Sequence, residues 1–270
     1  MAVRGMSLTI TILGCGSSGG VPRVGQGWGA CDPTNPKNRR RRCSILATRT
    51  EGAARTNMLI DTSPDLREQL IDAKVDHLDA ILFTHPHADH THGVDDVRGL
   101  VLESGRRIPA YLDEPTAKML TDRFDYIFKT PPGSYYPPLL DEHRIHLGRE
   151  VSVEGAGGAI EAMPFRLDHG DMDALGFRIG GLAYTPDLNS VPQESFRHLE
   201  GLDVWIIDAL RHKRHGTHLS VGEALEWVAH FKPRRAILTD LHVDLDYETL
   251  AATLPDNVTP AFDGMRIELA

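Results

Sequence analysis

The chain has 270 residues, 41% hydrophobic and 25% charged, ordinary values for a globular protein with a sizeable core. A formal charge of −9 and a pI near 5.8 exclude a nonspecific nucleic-acid or membrane-surface binder, while leaving room for a pocket made positive by metal ions. Three irregularly spaced cysteines (Cys15, Cys31, Cys43) exclude a disulfide scaffold or C-x-x-C zinc site, so a reducing, cytoplasmic setting is expected.

Residues 1–7 lack the apolar stretch of a signal peptide, and no run of 18 apolar residues exists to span a membrane. Residues 7–13 alternate β-branched and apolar side chains and read as a first strand. The glycine-rich turn Gly14-Cys15-Gly16-Ser17-Ser18-Gly19-Gly20 follows. It matches no phosphate-loop pattern, because Val21-Pro22-Arg23 breaks a helix; its backbone is expected to pass close to something, such as a metal site. After a Pro- and Asn-rich loop at 28–38, Arg39 to Arg42 lead into a strand at 43–48. Alternation sends these arginines to opposite faces, so one or two can reach an anionic substrate while the others are solvated. A strand at 57–61 precedes Asp61-Thr62-Ser63-Pro64, which opens a helix to about residue 73.

The strand at 79–84 runs into Thr84-His85-Pro86-His87-Ala88-Asp89-His90, followed by a short helix at 91–100 and a strand at 109–112. Residues 114–128 form a helix whose Ala117, Leu120, Phe124 and Ile127 share one apolar face. The segment 129–144 holds four prolines with Tyr135 and Tyr136; it reads equally as a lid or binding rim and as a crossover or oligomer contact. Strands resume at 145–153 and 159–167, the second ending in Leu167-Asp168-His169-Gly170. A hairpin at 175–179 and 182–185 ends in Thr185-Pro186-Asp187, and 204–208 is a buried strand. A loop with His212, His215 and His218 leads to a helix at 220–231, whose Ser220 and Glu223 form a capping box. The strand at 235–239 is followed by Asp240-Leu241-His242, a short helix at 247–254 and a last strand at 265–269. No repeat or linker interrupts the chain, and residues 1–270 read as one domain.

Four metal-ligand side chains fall within six residues at the end of a strand. Imidazole suits zinc, iron or manganese, and a carboxylate adds a hard oxygen ligand. Six residues cannot easily wrap four ligands round one ion, so two ions are expected, with His85 and His87 on the first and Asp89 and His90 on the second. His or Asp also follows later strands, at His169, Asp187 and His242, and loops at strand ends can converge on one two-metal centre.

These motifs, together with a late His after a strand, resemble the metallo-β-lactamase-fold hydrolases over essentially the whole chain. The resemblance implies an α/β fold, a four-layer αβ/βα sandwich of two mixed β-sheets flanked by helices. Gly16-Ser17-Ser18-Gly19-Gly20-Val21-Pro22, Asn35-Pro36-Lys37-Asn38-Arg39, Thr217-His218-Leu219-Ser220 and Asp244-Leu245-Asp246-Tyr247 are similar to one branch. That branch includes the cyclic phosphodiesterase of phosphonate degradation and is related to tRNA 3′-end processing nucleases. The resemblance implies His85, His87 and His169 on one ion, Asp89, His90 and a late His on the other, and Asp187 bridging both. It makes His218 the phosphate-binding histidine or general acid. The branch usually shows Thr-His-x-Ser-His after the late strand, where this chain has Thr239-Asp240-Leu241-His242-Val243. His242 is expected to take the ligand role through a small loop shift, with Asp240 as the alternative. Val243 and the lone Cys31 leave no set for the branch's structural zinc, so none is expected.

The function expected is a dinuclear metal-dependent hydrolase, a phosphodiesterase that opens a small cyclic or nucleotide-like phosphodiester through a metal-bridging hydroxide. Two divalent ions, zinc or manganese, are its cofactors, and Asp89, Asp187 and His218 its catalytic set. Asp61 and Asp168 are candidates for carboxylates that fix ligand histidines. The rival readings are a thioester or lactone hydrolase using the same centre, and a non-catalytic metal-retaining binding protein of cofactor biosynthesis. The partner expected is a small-molecule substrate, with no membrane and no stable nucleic-acid complex; a homodimer is open.

Overall fold

The computed structural model describes residues 7–269, so the leaderless N-terminus expected at 1–6 lies outside the described residues. Six strands succeed one another in the first half: β1 (Ser7–Gly14), β2 (Ser44–Glu51), β3 (Ala54–Ile60), β4 (Ala80–Leu82), β5 (Ile108–Leu112) and β6 (Leu140–Arg144). The second half supplies β7 (Val151–Val153), β8 (Ile160–His169), β9 (Met172–Ile179), β10 (Leu182–Thr185), β11 (Val204–Asp208), β12 (Arg235–Thr239) and β13 (Val258–Pro260). The last strand, β14 (Arg266–Leu269), returns to the first half. The result is two seven-stranded sheets, ordered β14-β1-β2-β3-β4-β5-β6 and β13-β12-β11-β10-β9-β8-β7. Both are mixed in the same way. From β14 and from β7 the first three pairings are antiparallel, and the remaining three are parallel.

Alternation along the strands decides the layers. One face of the first sheet, with Ile10, Ile12, Ile45, Met58 and Ile60, packs on Phe177, Ile179, Tyr184, Ile206 and Ile237 of the second. The opposite faces pack on helices. Leu13, Leu46, Leu59, Ile81 and Ala110 meet α1 (Leu66–Asp72), α3 (Arg98–Ser104) and α4 (Glu114–Phe124), while Phe165, Trp205, Ile207 and Leu238 meet α5 (Val221–Phe231) and α6 (Tyr247–Ala251). A short helix, α2 (Ala88–Thr91), sits between β4 and α3. Each fully buried aliphatic side chain contributes about 1.5–3 kcal/mol, so the sheet-to-sheet layer is the main cohesive element. This is the four-layer αβ/βα sandwich implied by the motifs.

Two local expectations are corrected and a third is made specific. The helix after the His motif begins inside it, since α2 already contains Asp89 and His90 and His87 stands at its N-cap. The segment 129–144 is irregular only to 139, because Leu139 and Leu140 are buried and 140–144 pairs in parallel with β5. Its Asp-Glu-His-Arg run reads as loop but suits a half-exposed edge strand, where charges discourage further pairing. Finally, the glycine-rich turn packs tightly on the 40–42 segment and is hydrogen-bonded to Leu241, the neighbour of Asp240. A Cβ on Gly14 would stand 2.1 Å from the carbonyl of Arg42, and one on Gly16 2.9 Å from Arg40. No helix among the described residues is long and apolar enough to cross a membrane.

The topology gathers the acidic and imidazole groups at one end. Asp61 follows β3, the His motif follows β4, Asp187 follows β10, Asp208 ends β11 and Asp240 follows β12; these are the C-terminal ends of parallel strands. Open α/β sheets bind ligands at such ends.

Candidate metal centre

Two donor sets share one carboxylate. In the first, the His87 Nδ1 atom lies 3.0 Å from His85 Nε2 and 3.3 Å from His169 Nε2. Asp187 Oδ2 closes this set at 3.6 Å from His85 Nε2 and 3.8 Å from His169 Nε2. In the second, His90 Nε2 lies 3.5 Å from Asp89 Oδ2 and 3.2 Å from the other Asp187 oxygen, Oδ1. Donors about 2.0–2.1 Å from one tetrahedral ion stand about 3.4 Å apart, so both sets have ligand spacing. The change from extended chain at His85 and His87 to helix at Asp89 and His90 aims the motif at two points instead of one.

Each buried imidazole is locked from behind. His90 Nδ1 donates to Asp61 Oδ2 at 2.7 Å, and His169 Nδ1 donates to the Thr217 carbonyl at 2.7 Å. The Thr84 hydroxyl donates to the same Asp61 oxygen at 2.8 Å, which leaves it to accept from His85 Nδ1 at 2.9 Å. Asp61 therefore fixes two tautomers at once, and in both the Nε2 lone pair points inward. Asp61 is fully buried in a left-handed backbone conformation (φ 66°) and also accepts the Thr84 N–H at 2.8 Å. Asp168 does no such work; it pairs with Arg166 at 2.9 Å.

On the opposite wall, His218 Nδ1 lies 2.9 Å from Asp208 Oδ2 and 3.2 Å from Asp240 Oδ2, and its Nε2 faces Asp187 Oδ2 at 3.9 Å. Burial works against charge on His218, but Asp240, Asp208 and Asp187 outweigh it and push it up to about 11. Burial pushes Asp208 up to about 6 against the pull of His218. It also holds Asp240 well above the usual carboxylate range, reinforced by Asp187, Asp208 and Asp89. Burial keeps His85 well below the usual histidine value, and the neighbouring His90 adds to this.

The donors fit divalent cations on a physical ground. Asp61, Asp187, Asp208 and Asp240 are at most 2% exposed, yet among the described residues no Lys or Arg pairs with them or with Asp89. His90 Nε2, Asp187 Oδ1, Asp208 Oδ1 and Asp240 Oδ2 are sealed from solvent without a hydrogen bond. Buried charge of this density requires compensation, and orphaned donor atoms aimed at common points are where a metal ion supplies it.

The structure brings together His85, His87, Asp89, His90, His169, Asp187 and His218, but not His242. Leu241 is held on both sides, its N–H to the Cys15 carbonyl at 2.8 Å and its carbonyl to the Ser17 N–H at 3.4 Å, while Asp240 adopts a left-handed turn (φ 59°). That turn puts the Asp240 carboxylate against His218 and sends His242 the other way. There His242 Nε2 accepts from Arg23 at 2.7 Å, and its Nδ1 lies 3.1 Å from Asp244. Burial and Arg23 lower the His242 pKa against the pull of Asp244, and its inner lone pair is already used. Three arginines of the run, Arg40 to Arg42, are engaged elsewhere. Arg40 is buried with its Nη1 on the His242 carbonyl, Arg41 pairs with Asp72, and Arg42 pairs with Asp65. Sequence reasoning missed Asp208, although the rule that an acid ends a strand applies to it as well as to Asp187.

A family profile described as "Beta-lactamase superfamily domain" matches residues 56–240. A curated relative named octanoyltransferase, from Porphyromonas gingivalis (strain ATCC BAA-308 / W83), is 31% identical over 259 residues, covering 94% of this chain and 50% of the relative. The chain thus spans about half the length of that protein. Among solved structures, a diphosphatase from the PhnP family is 34% identical, covers 98% of both chains and superposes with a TM-score of 0.87. Zn(2+)-bound PqqB from Methylobacterium extorquens is 18% identical over 97% of this chain and 100% of its own, with a TM-score of 0.71. Human tRNase Z, short form, is 17% identical over 96% and 98%, with a TM-score of 0.62. The last two likenesses are of fold alone.

Proposed function

The chain belongs to the beta-lactamase superfamily and has the metallo-β-lactamase hydrolase fold, and from this we propose that it is a dinuclear phosphodiesterase acting on a small cyclic or nucleotide-like phosphodiester. The observation that carries the reading is Asp187, whose two oxygens face two separate donor sets. His85, His87, His169 and Asp187 would hold one ion. Asp89, His90 and Asp187 would hold the other, and Asp240, grouped with Asp208 and His218, is the further carboxylate on that side in place of His242. Bound there, two zinc or manganese ions would polarise a phosphoryl oxygen and acidify water toward a pKa of ~7.

The chain's own groups supply the rest. Asp61 and the Thr217 carbonyl hold three imidazoles in the tautomers that ligate, so no reorganisation is needed when substrate arrives. Asp208 orients His218, whose Nε2 points into the centre. A protonated His218 donates that Nε2 proton to the leaving oxygen as the P–O bond breaks, a role worth about 10²–10⁴ in rate. Asp89 and Asp187 orient the attacking water. We read the unit as a single domain working in a cytoplasmic setting.

The likeness to a diphosphatase favours extending the substrate class to P–O–P anhydrides, which need the same charge neutralisation. The name octanoyltransferase favours acyl chemistry as a second reading, although half of that protein lies outside the match. The deciding experiment reloads the protein with Mn²⁺ or Zn²⁺ and compares bis(p-nitrophenyl) phosphate, a dinucleoside diphosphate and an octanoyl thioester. Turnover of either phosphorus substrate with close to two ions per chain supports the proposal. Turnover of the thioester alone transfers the reading to acyl hydrolysis, and two ions with no turnover leaves the metal-retaining binding protein.

A further inference from the structure

The outer face of the first sheet is covered unevenly. Leu13, Leu46 and Leu59 pack with Leu66 and Leu70 of α1, but this helix is seven residues long and ends at Asp72. Further along the same face the leucines give way to threonines, Thr9 and Thr11 on β1 and Thr48 and Thr50 on β2. Alternation sets these opposite Ile10, Ile12 and Ile45, which fill the layer between the sheets. The result is a trough of about 610 Å³ between the end of α1 and the edge strand β14.

Five cations line it: Arg39 and Arg41 before β2, Arg55 on β3, Lys74 after α1 and Arg266 on β14. In a chain of formal charge −9 this is a local reversal of sign. Arg41 is paired with Asp72 and Arg55 with Asp76. Among the described residues, no carboxylate pairs with Arg39, Lys74 or Arg266. The other acids nearby are already engaged, Asp263 by the Arg41 N–H at 2.8 Å and Glu268 by the Thr9 hydroxyl at 2.8 Å. Strand register sets the spacing. Arg266 is level with Thr11 and Leu46, and Arg55 is level with Thr50. Four residues of β2 separate the two levels, about 13 Å. The Thr11 and Thr50 hydroxyls have no partner among the described residues, and no aromatic side chain lines the trough.

We propose that this trough binds a linear polyphosphate chain, at a site separate from the metal centre. A polyphosphate carries charge at every link. It can therefore meet cations at both ends of the ~13 Å span and accept from the threonine hydroxyls between them. The guanidinium forks of Arg39 and Arg266 match its oxygens in geometry as well as charge. An acidic peptide fits less well, because alternate side chains of an extended chain point away and half its charge would face solvent. A single-stranded nucleic acid would find the phosphate contacts but no ring on which to stack its bases. No residue of the trough belongs to either donor set, so the site is independent of the reaction assigned to that centre.

The test titrates Mn²⁺-loaded protein calorimetrically with a medium-chain polyphosphate, in excess Mg²⁺ and with metal content checked afterwards. Oligouridylate and a polyglutamate peptide of matched charge are titrated beside it. Arg39→Gln, Lys74→Gln and Arg266→Gln are each expected to weaken polyphosphate about three- to fivefold, and the triple variant about tenfold or more. Arg106→Gln removes an exposed charge outside the trough and should change nothing. All four side chains are exposed, and an unchanged urea midpoint confirms that each variant is folded. Equal loss in Arg106→Gln would reduce the effect to net charge and overturn the site. Full binding by the triple variant would put the chain at the metal centre and overturn it too. So would tighter binding of oligouridylate or polyglutamate than of polyphosphate, or no binding of polyphosphate by the wild type.

Discussion

Asp61→Asn tests the arrangement behind the metal centre with almost no change in shape. Asparagine tolerates the left-handed backbone at this position, so strain is not introduced. The Thr84 N–H binds Oδ1, while the Thr84 hydroxyl and His90 Nδ1 both bind Oδ2. If the amide keeps its oxygen on the Thr84 N–H, its NH₂ faces His90 Nδ1, which must then accept. The His90 proton moves to Nε2, and the lone pair aimed at Asp89 and Asp187 disappears. If the amide flips, the buried Thr84 N–H is left unpaired at a cost of about 1–3 kcal/mol. Either way the second ion loses affinity by about 10–100-fold, the range for removing a carboxylate behind a ligand imidazole, or ~1.4–2.7 kcal/mol. The set formed by His85, His87, His169 and Asp187 loses less, since His169 is held by Thr217 and the change reaches His85 only through the Thr84 hydroxyl. Chelator competition with Mn²⁺ or Zn²⁺, read as two stepwise constants, measures this. Two unchanged constants would refute the tautomer argument, and equal loss at both would refute the assignment of Asp61 to the second ion.

His218→Ala is expected to retain both ions by elemental analysis and to lose about 10²–10⁴ in phosphodiesterase rate; a fall in metal content would remove its role as proton donor. Asp187→Ala is expected to lose the second ion together with activity, and a variant that still holds two ions would show that the carboxylate does not bridge. Gly93→Ala would bring a methyl within 1.9 Å of the Ser63 carbonyl, in a turn where Gly93 and His90 both bond to Thr62. A loss of about 1–3 kcal/mol in urea unfolding is expected, and no loss would mean the turn can open. Burial pushes the Asp263 carboxyl up to about 7 against the Arg41 N–H and the Cys15 thiol that bond to it. The unfolded carboxyl ionises near ~3.9, so this group makes stability fall as pH rises from about 4 to about 7 and adds no further change above. Asp263→Asn should flatten that decline in urea midpoints at pH 5 and 7.5, and an identical slope in both proteins would contradict it.

The parts of the centre that could be read from sequence are those with a local signature. His85, His87, Asp89 and His90 stand in one turn behind an apolar strand, and the two-ion division follows from how little chain joins them. His169 and Asp187 were legible through order and context. Asp61 and Asp240 were legible only as candidates and Asp208 not at all, since a lone acid after a strand is as often a cap, and only the packing of the two sheets brings the ends of β3, β11 and β12 together. His242 misled because imidazole is the commoner ligand, whereas its direction is set by a left-handed residue two positions earlier and by an arginine 219 residues away in sequence. The charge run at 39–42 misled for a similar reason. Arg40 is covered by the 241–246 loop, a contact across more than 200 residues that no local pattern encodes.

The two sheets repeat one scheme of pairing, and the donor sets draw from both. His85, His87, Asp89 and His90 hang from the first sheet, while His169 and Asp187 hang from the second. An ion at this position is therefore a further cross-link between halves that adhere through apolar side chains and through hydrogen bonds such as that from the Leu175 N–H to the Thr84 carbonyl. Occupancy at 1,000 times the dissociation constant would add about 4.1 kcal/mol to the folded state, comparable to a disulfide closing a long loop, in a chain whose three cysteines are all free. Metal starvation would then loosen the sandwich along its seam as well as silence the site, so the abundance of the folded protein would itself report the metal supply.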